Sequence, residues 1–215
     1  MLVAAGRVQV NGTVRLNPEW PVQADRDRVS VDGVPVHAAR KVYLMLNKPR
    51  GLVTTASDEQ ERETVFACLQ PLGLPHLAAV GRLDKASEGL LLFTNDSTWA
   101  ARITDPGTGL EKIYHVQVNR VADEPLLDQI RAGVEHSGEH LGVSRVAILR
   151  SGGRNSWLEI RLREGRNRHL RRLLEALGLQ VLRLVRVAIG PLQLGALPKG
   201  QSRLLTAGEV VALGG

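Results

Sequence analysis

At residues 81–96 the chain reads GRLDKASEGLLLFTND, in which a charged loop runs into a continuous apolar segment. The apolar half is short enough to be a buried strand. Charged loop residues held against such a strand are common catalytic groups. Asp84 lies between a leucine and Lys85, so it can be partly desolvated and still ionised, as a carboxylate nucleophile requires. The same residues also fit a structural turn, in which Asp84 caps the turn and Glu88 pairs with Lys85.

Strands and helices are mixed along the rest of the chain. Apolar runs and alternating patterns predict strands over residues 42–46, 90–94, 113–118, 143–149, 157–163 and 181–189. Helices are predicted over residues 97–104, 123–132 and 167–177. Ser97 is the expected N-cap of the first helix, and a loop is expected over residues 47–51. Asn11-Gly12 and Asp32-Gly33 are typical hairpin turns. Because the elements do not alternate strictly as βαβ units, the predicted fold class is α+β.

The composition is that of an ordinary globular chain. The 215 residues are 43% hydrophobic and 23% charged, which excludes a disordered or low-complexity protein. No apolar stretch approaches the length of a membrane-spanning helix, and the first residues do not form a secretory signal. A single cysteine, Cys68, excludes a disulfide framework and a cysteine-based zinc site. We therefore expect a cytoplasmic protein without a membrane partner.

Positive charge is concentrated in one region of the chain. There are 28 lysines and arginines against 22 acidic residues, which gives a net charge of +6. Residues 145–186 alone contain eleven arginines, no lysine and three acidic residues. Because arginine binds phosphate through planar, two-pronged contacts, this region predicts a nucleic-acid partner. A solvated face with internal salt bridges is the alternative.

The arginines are densest at a predicted strand-to-helix junction, where five lie within ten residues. Helical spacing brings Arg168, Arg171 and Arg172 onto neighbouring faces of the first turns. Arginine near the start of a helix opposes the helix dipole, so local helix stability does not explain these residues. We expect phosphate or an acidic residue as their partner. In the following strand, alternation places Arg183 on one face and Leu184 on the other.

Several stretches together resemble the RsuA/RluB-type family of RNA pseudouridine synthases, at residues 47–51, 81–96, 111–114, 163–172 and 182–192. The similarity runs over roughly residues 41–205, and the order and distance of the stretches are specific to this family. His169 stands where family members more often have glutamine. The resemblance implies a mixed, largely antiparallel sheet of the pseudouridine synthase fold with flanking helices.

The resemblance also implies an isomerase, an intramolecular transferase that converts uridine in RNA to pseudouridine. Asp84 matches the family's catalytic aspartate, which attacks ribose carbon 1 or uracil carbon 6 or acts in a glycal route. Tyr114 matches the tyrosine that stacks on the uracil, and Arg171 matches the arginine that pairs with the aspartate. The implied substrate-binding residues are Arg82, Leu184, Arg166, Asn167, Arg168, Arg172 and Lys48. No cofactor and no metal are implied.

The resemblance divides the chain in two. Residues 1–40 are similar to a partial alpha-L RNA-binding motif and a linker, and residues 41–215 to the catalytic domain. The usual opening helices of the motif are absent, which a truncated or misassigned start would explain. A monomer is expected, with RNA as its partner: ribosomal RNA ahead of tRNA, leaning to large-subunit 23S rRNA. One alternative is a non-catalytic RNA-binding or ribosome-assembly factor on the same fold, and another is a hydrolase that uses Asp84 and Glu88.

Overall fold

The computed structural model describes residues 1–23, 26–36, 40–56, 60 and 62–214. The chain forms two compact units, Met1–Arg40 and Lys41–Gly215. The described part of the first unit contains four short antiparallel strands in the spatial order β2-β1-β3-β4. These strands are β1 (Val8–Val10), β2 (Thr13–Val14), β3 (Val29–Val31) and β4 (Val34–Val36).

Two tight turns shape the first unit. Asn11-Gly12 joins β1 to β2, and Asp32-Gly33 joins β3 to β4, each as a two-residue loop. All four turn residues have positive φ, as a type I′ hairpin turn requires. The two hairpins expected from these dipeptides are therefore confirmed.

The second unit contains longer strands and four helices among its described residues. Its strands are β5 (Tyr43–Lys48), β6 (Ala78–Val80), β7 (Glu88–Thr94), β8 (Lys112–Val118), β9 (Val134–His136), β10 (Glu139–Leu141), β11 (Arg145–Ser151), β12 (Ser156–Leu162), β13 (Val181–Ile189), β14 (Leu192–Gln193) and β15 (Ser202–Leu204). Its helices are α1 (Ser97–Thr104), α2 (Glu124–Ala132), α3 (His169–Ala176) and α4 (Ala207–Ala212), with 3-10 turns over Val65–Cys68, Gln70–Leu72 and Pro106–Thr108.

Nine of the described strands form one mixed sheet. Its main order is β11-β12-β8-β13-β7-β5-β15, with β14 paired to β13 and β6 paired to β7. Neighbouring strands are antiparallel except β7 and β13, which run parallel. Strands β9 and β10 form a separate hairpin. The expected α+β fold with a mixed, largely antiparallel sheet is confirmed.

The sheet has two different faces, because successive side chains of a strand point to opposite sides. The inner face carries Tyr114, Val116, Leu158 and Leu184, and its core continues into the buried leucines of α2 and α3. On the outer face, α1 packs on β5 and β7 through Trp99. Over β8, β12 and β13 the outer face is partly exposed to solvent.

Parallel strands β7 and β13 approach each other closely at Gly89. The residue has a φ of 102°, and a Cβ there would lie 2.2 Å from the backbone oxygen of Arg186. Glycine is the residue that fits this approach, because it has no side chain and adopts positive φ without strain. The approach brings the start of β7, immediately after the Asp84 loop, against the middle of β13.

Some local expectations were wrong at the ends of elements. Helix α1 is capped by Asp96, whose carboxylate accepts a hydrogen bond from Trp99 N, and not by Ser97. The loop expected over residues 47–51 begins later, because the first two of these residues continue β5 and pair with β7. Helix α3 begins at His169 and not at residue 167, because Arg168 has a left-handed conformation with φ of 49°.

Candidate active site

The loop between β6 and β7 carries Asp84 and is anchored by the side chain of Lys48. The Lys48 side chain is fully buried, and its ammonium group donates hydrogen bonds to three backbone carbonyls. The acceptors are Pro49 at 3.1 Å, Asp84 at 3.2 Å and Ser87 at 2.8 Å. Thr54 adds a further bond, from its hydroxyl to the Leu83 carbonyl at 2.8 Å. The backbone on both sides of the Asp84 side chain is therefore fixed.

This burial corrects the expectation that Lys48 binds substrate. An ammonium group that is fully buried and bonded to three carbonyls has no surface left for RNA. Burial lowers the pKa of Lys48 to about 8, against the opposing effect of the Asp84 and Glu88 carboxylates, so the ammonium form persists at neutral pH. Lys48 is a positioning residue for the loop.

Replacing Lys48 with methionine is expected to lower the free energy of unfolding by about 1–3 kcal/mol, because buried carbonyls lose their donor. It should also lower activity, because the Asp84 loop loses its anchor. Urea unfolding and turnover of the same samples measure both effects. Arg131→Met is the control, since it removes an exposed positive charge of α2 that lines neither the pocket nor the groove. Equal stability and activity of the two variants would contradict the anchoring role.

The carboxylate of Asp84 faces the guanidinium group of Arg171 across a pocket. Arg171 Nε lies 3.8 Å from Asp84 Oδ2, and the Asp84 side chain is 33% exposed. The Arg171 Nη2 donates to the Ala86 carbonyl at 3.1 Å, while its buried Nε has no hydrogen-bond partner among the described residues. Burial lowers the pKa of Arg171 and Asp84 opposes that shift. The pair is a buried cation beside a half-exposed anion, with one donor free to strengthen the contact.

The pocket has a volume of about 440 Å³ and combines apolar walls with these charges. Tyr114 and Leu184 contribute its inner-face wall, and both are mostly buried. Arg186 lies directly across from Tyr114 in the β8–β13 pairing and points to the same face. Its Nε donates to the Leu90 carbonyl at 2.7 Å, and its buried Nη2 has no partner in the described part of the chain. An aromatic ring, an aliphatic side chain and free donors suit a flat heterocycle with carbonyl oxygens.

His169 closes the pocket at the start of α3. Its Nε2 lies 2.8 Å from the Gly142 carbonyl, and since a carbonyl only accepts, Nε2 is the protonated nitrogen. The buried Nδ1 has no partner among the residues described. Burial lowers the pKa of His169, so the ring is neutral at physiological pH and offers one lone pair.

A second, more polar groove of about 630 Å³ opens from the pocket along the Asp84 loop. It shares Arg82, Arg166 and Arg168 with the pocket, and Asn167 lines it as well. Two of these arginines already contact carboxylates: Arg166 Nε lies 2.9 Å from Glu164, and Arg168 lies 3.7 Å from Glu175. The structure thus brings the predicted catalytic residues into one pocket and four of the predicted binding residues into the adjoining groove.

Comparison with known proteins identifies the family. A family model described as RNA pseudouridylate synthase matches residues 42–176. The chain belongs to the RNA pseudouridylate synthase family. A protein of Aquifex aeolicus named as an uncharacterised RNA pseudouridine synthase is 38% identical over 99% of this chain and 85% of its own length. A crystal structure of a pseudouridylate synthase covers 99% of this chain and 90% of that one, with 28% identity and a TM-score of 0.70.

The RsuA/RluB-type resemblance is confirmed by a Haemophilus influenzae relative named ribosomal large subunit pseudouridine synthase B. It is 36% identical over 93% of this chain, which spans 57% of that protein. The pseudouridine synthase described here is therefore an isomerase that acts on uridine in RNA. No helix in the described residues is long and apolar enough to cross a membrane.

Two side chains expected near the site of this synthase lie elsewhere. Arg172 was predicted to bind substrate, but its Nη2 donates to Glu139 at 2.8 Å and to the His136 carbonyl at 3.3 Å, on the β9–β10 hairpin. It lines neither the pocket nor the groove. Glu88 was a candidate partner for Lys85 or a second catalytic carboxylate. It is buried on the outer face and pairs with Arg183 and Lys199, so it takes no part in a two-carboxylate hydrolase site.

Arg186 and Lys112 line the pocket of the synthase but were not predicted from the sequence. Strand alternation could have identified Arg186, because residues two apart in a strand share a face and Leu184 was already assigned to the pocket. Lys112, on β8, also lines the pocket, and burial lowers its pKa with the positive charge of Arg186 as a second cause. Alternation could have identified Lys112 too, because it lies two residues before Tyr114 in the same strand.

Proposed function

We propose that this pseudouridine synthase isomerises a specific uridine of ribosomal RNA, in the large subunit, with Asp84 as its catalytic residue. The observation that carries the proposal is the Asp84–Arg171 pair in a pocket that Tyr114 also lines, beside an arginine-lined groove. The relatives named ribosomal large subunit pseudouridine synthase B, in Haemophilus influenzae and Pasteurella multocida, support the choice of RNA.

The reaction is balanced within the uridine itself. The bond between ribose carbon 1 and the ring nitrogen breaks, the base rotates, and a bond to a ring carbon forms. The proton on that carbon is lost and the released nitrogen gains one, so no redox partner is consumed. Asp84 acts by attack on ribose carbon 1, by attack on uracil carbon 6, or in a glycal route.

Three neighbours support Asp84 in this proposal. Arg171 keeps a positive charge 3.8 Å from the carboxylate, and its Nε, which has no hydrogen-bond partner among the described residues, can bond to it. Tyr114 offers a flat surface on which the uracil stacks, and its hydroxyl group is available for proton transfer. Leu184 excludes water on the side of the pocket next to the base.

The groove beside the pocket binds the RNA that flanks the reacting uridine. A uridine within folded RNA must be extruded to reach the pocket, which costs a few kcal/mol. Phosphate contacts from Arg82, Arg166 and Arg168 offset that cost, and Asn167 adds a neutral donor. The carboxylates that now hold two of these arginines would exchange for phosphate on binding.

We extend the proposal to the first unit and to the setting of the enzyme. Residues 1–40 act as a partial alpha-L RNA-binding motif, in which Arg15 lies over the partly exposed ring of Trp20 at 3.9 Å from its centroid. The enzyme works as a monomer in the cytoplasm, where ribosomal RNA is found. The alternative substrate is tRNA, and an experiment must distinguish it from ribosomal RNA.

The purified protein, incubated with separate transcripts of large-subunit rRNA, small-subunit rRNA and tRNA, tests this function. Pseudouridine at one position of the large-subunit transcript is the expected result. Modification of the small-subunit transcript or of tRNA alone would overturn the choice of RNA. Binding to all three without pseudouridine in any would favour the non-catalytic RNA-binding factor.

A further inference from the structure

The arginine-rich segment contains more side chains than the active site uses. Arg166, Arg168, Arg171 and Arg186 line the pocket, and Arg172 is bonded to the β9–β10 hairpin. Six more lie on strands β11 to β13 and in the loops beside them: Arg145, Arg150, Arg154, Arg161, Arg163 and Arg183. A second basic region is therefore separate from the catalytic pocket.

Strand pairing places part of this region on the outer face. Trp157 of β12 pairs with Gln117 of β8, which pairs in turn with Arg183 of β13. Paired residues of neighbouring strands point to the same side of a sheet. The next residue along each strand belongs to the inner face, with Tyr114 and Leu184. The two sets of side chains are thus on opposite sides of one sheet.

A groove of about 420 Å³ lies on this outer face. Val185, Val187 and Leu149 contribute its apolar lining, and Leu149 is 45% exposed. Trp157 lies in the groove, with the guanidinium carbons of Arg150 and Arg183 at 5.3 Å and 5.4 Å from its ring centroid. A partly exposed aromatic ring with two arginines is the combination that binds an unpaired base and its phosphates.

The charges around the groove favour a polyanion over an apolar protein segment. Arg183 is held by the buried Glu88 at 3.1 Å, so its position is fixed. Arg150 forms no ion pair with any carboxylate in the described ranges, so its charge is uncompensated. The acidic neighbour on the same face, Glu159, is bonded to Arg161 at 2.8 Å. The turn between β11 and β12, next to the groove, adds the positive charge of the exposed Arg154.

We propose that this outer groove is a second RNA-binding site, in which an unpaired base stacks on Trp157 and its phosphates contact Arg150 and Arg183. The proposal rests on the proposed function in one respect, that the substrate is RNA. Because the groove and the pocket are on opposite faces of the sheet, a bound RNA would contact both faces. The groove would thus add affinity for RNA outside the modified uridine.

A short single-stranded oligoadenylate is the probe, because it contains no uridine for the pocket to convert. In a Trp20→Phe background, quenching of the remaining fluorescence reports on Trp157, since Trp99 is buried. We expect saturable quenching. In anisotropy measurements with a labelled oligoadenylate, Trp157→Leu should weaken binding roughly 5- to 100-fold, the range for loss of one stacked base. Arg150→Ala should weaken it and reduce the salt slope by about 1.

The controls separate this site from others. Arg131→Ala removes an exposed arginine of α2 that is paired with Asp128, and its affinity should equal wild type. Unchanged binding in both Trp157→Leu and Arg150→Ala would overturn the proposal, and because Arg150 lies outside the core, a folding defect cannot hide that result. Loss of binding only in Trp20→Phe would move the site to the first unit. Self-association that Trp157→Leu abolishes, without any effect on RNA, would assign the groove to a second copy.

The same probe distinguishes failure of this proposal from failure of the proposed function. Suppose that no ribosomal transcript is modified but Trp157 and Arg150 still determine oligoadenylate affinity. The groove proposal is then supported, and ribosomal RNA as the substrate is contradicted. If modification proceeds and the two variants bind normally, the groove proposal alone is wrong.

Discussion

Replacing Asp84 with asparagine is expected to lower kcat for pseudouridine formation by about 10⁴-fold or more, the scale observed when a catalytic nucleophile is removed. The amide has nearly the shape of the carboxylate but is a poor nucleophile. The loop itself should stay in place, because Lys48 bonds the Asp84 backbone carbonyl, which asparagine retains. Single-turnover kinetics, RNA affinity and thermal unfolding of the same preparation measure the three effects separately.

Asp128→Asn is the matched control for this substitution. It makes the same chemical change on the exposed surface of α2, where Asp128 contacts Arg131 at 2.6 Å. Its activity should equal that of the wild type. Substantial activity in Asp84→Asn would mean that another group carries the reaction, and equal losses of activity, affinity and stability would reduce Asp84 to a structural role.

Replacing Arg171 with alanine is expected to lower kcat by about 10²- to 10³-fold, the usual effect of removing one preorganised electrostatic partner. The reason is that Asp84 loses the cation 3.8 Å from its carboxylate. RNA affinity should fall much less, because Arg171 is only 8% exposed and faces the carboxylate. Kinetics under saturating RNA, with affinity measured separately, distinguish the two effects.

Two variants test whether the effect acts through Asp84. Arg171→Lys keeps a positive charge near the carboxylate and should recover part of the activity. Arg172→Ala removes the next arginine of the same helix, whose partners are on the β9–β10 hairpin, and should keep kcat close to wild type. Parallel losses of kcat and affinity in Arg171→Ala, or equal losses in both alanine variants, would count against the pairing.

Much of the fold could be predicted because local patterns and packing agree. In β12, apolar residues such as Leu158 and Ile160 alternate with polar ones, and the structure buries the apolar set. In β7, residues 90–94 are all buried, as the continuous apolar run predicts. The turns at Asn11-Gly12 and Asp32-Gly33 formed as expected, because few residues other than these adopt positive φ readily.

The errors in the predicted site have a common cause, which is that sequence spacing does not show what a side chain meets in space. Lys48 looked like a basic loop residue, but strand pairing continues through it and buries it under the Asp84 loop. Arg172 looked equivalent to Arg171, but the β9–β10 hairpin lies beside it. That hairpin turns at Ser137-Gly138, both with positive φ, and no strand was predicted over its residues.

The two faces of the sheet have different proposed roles: the catalytic pocket lies on the inner side, and the groove that binds additional RNA lies on the outer face. On the inner side of the sheet, one pocket brings together Asp84 from the β6–β7 loop, Arg171 from α3 and Tyr114 from β8. The outer face carries Trp157, Arg150 and Arg183, which we propose bind a segment of RNA that does not react. Strand β13 contributes to both sites, with Leu184 in the pocket and Arg183 in the outer groove.

In the proposed function, the Asp84 pocket converts a specific uridine of large-subunit ribosomal RNA. A map of pseudouridine in total RNA tests it most directly, by carbodiimide adducts and primer-extension stops. The RNA would come from cells that carry the wild-type chain, the Asp84→Asn variant or neither. The expected result is one stop in large-subunit rRNA that is present only with the wild-type chain. An identical map in all three, with both proteins expressed and bound to RNA, would contradict it.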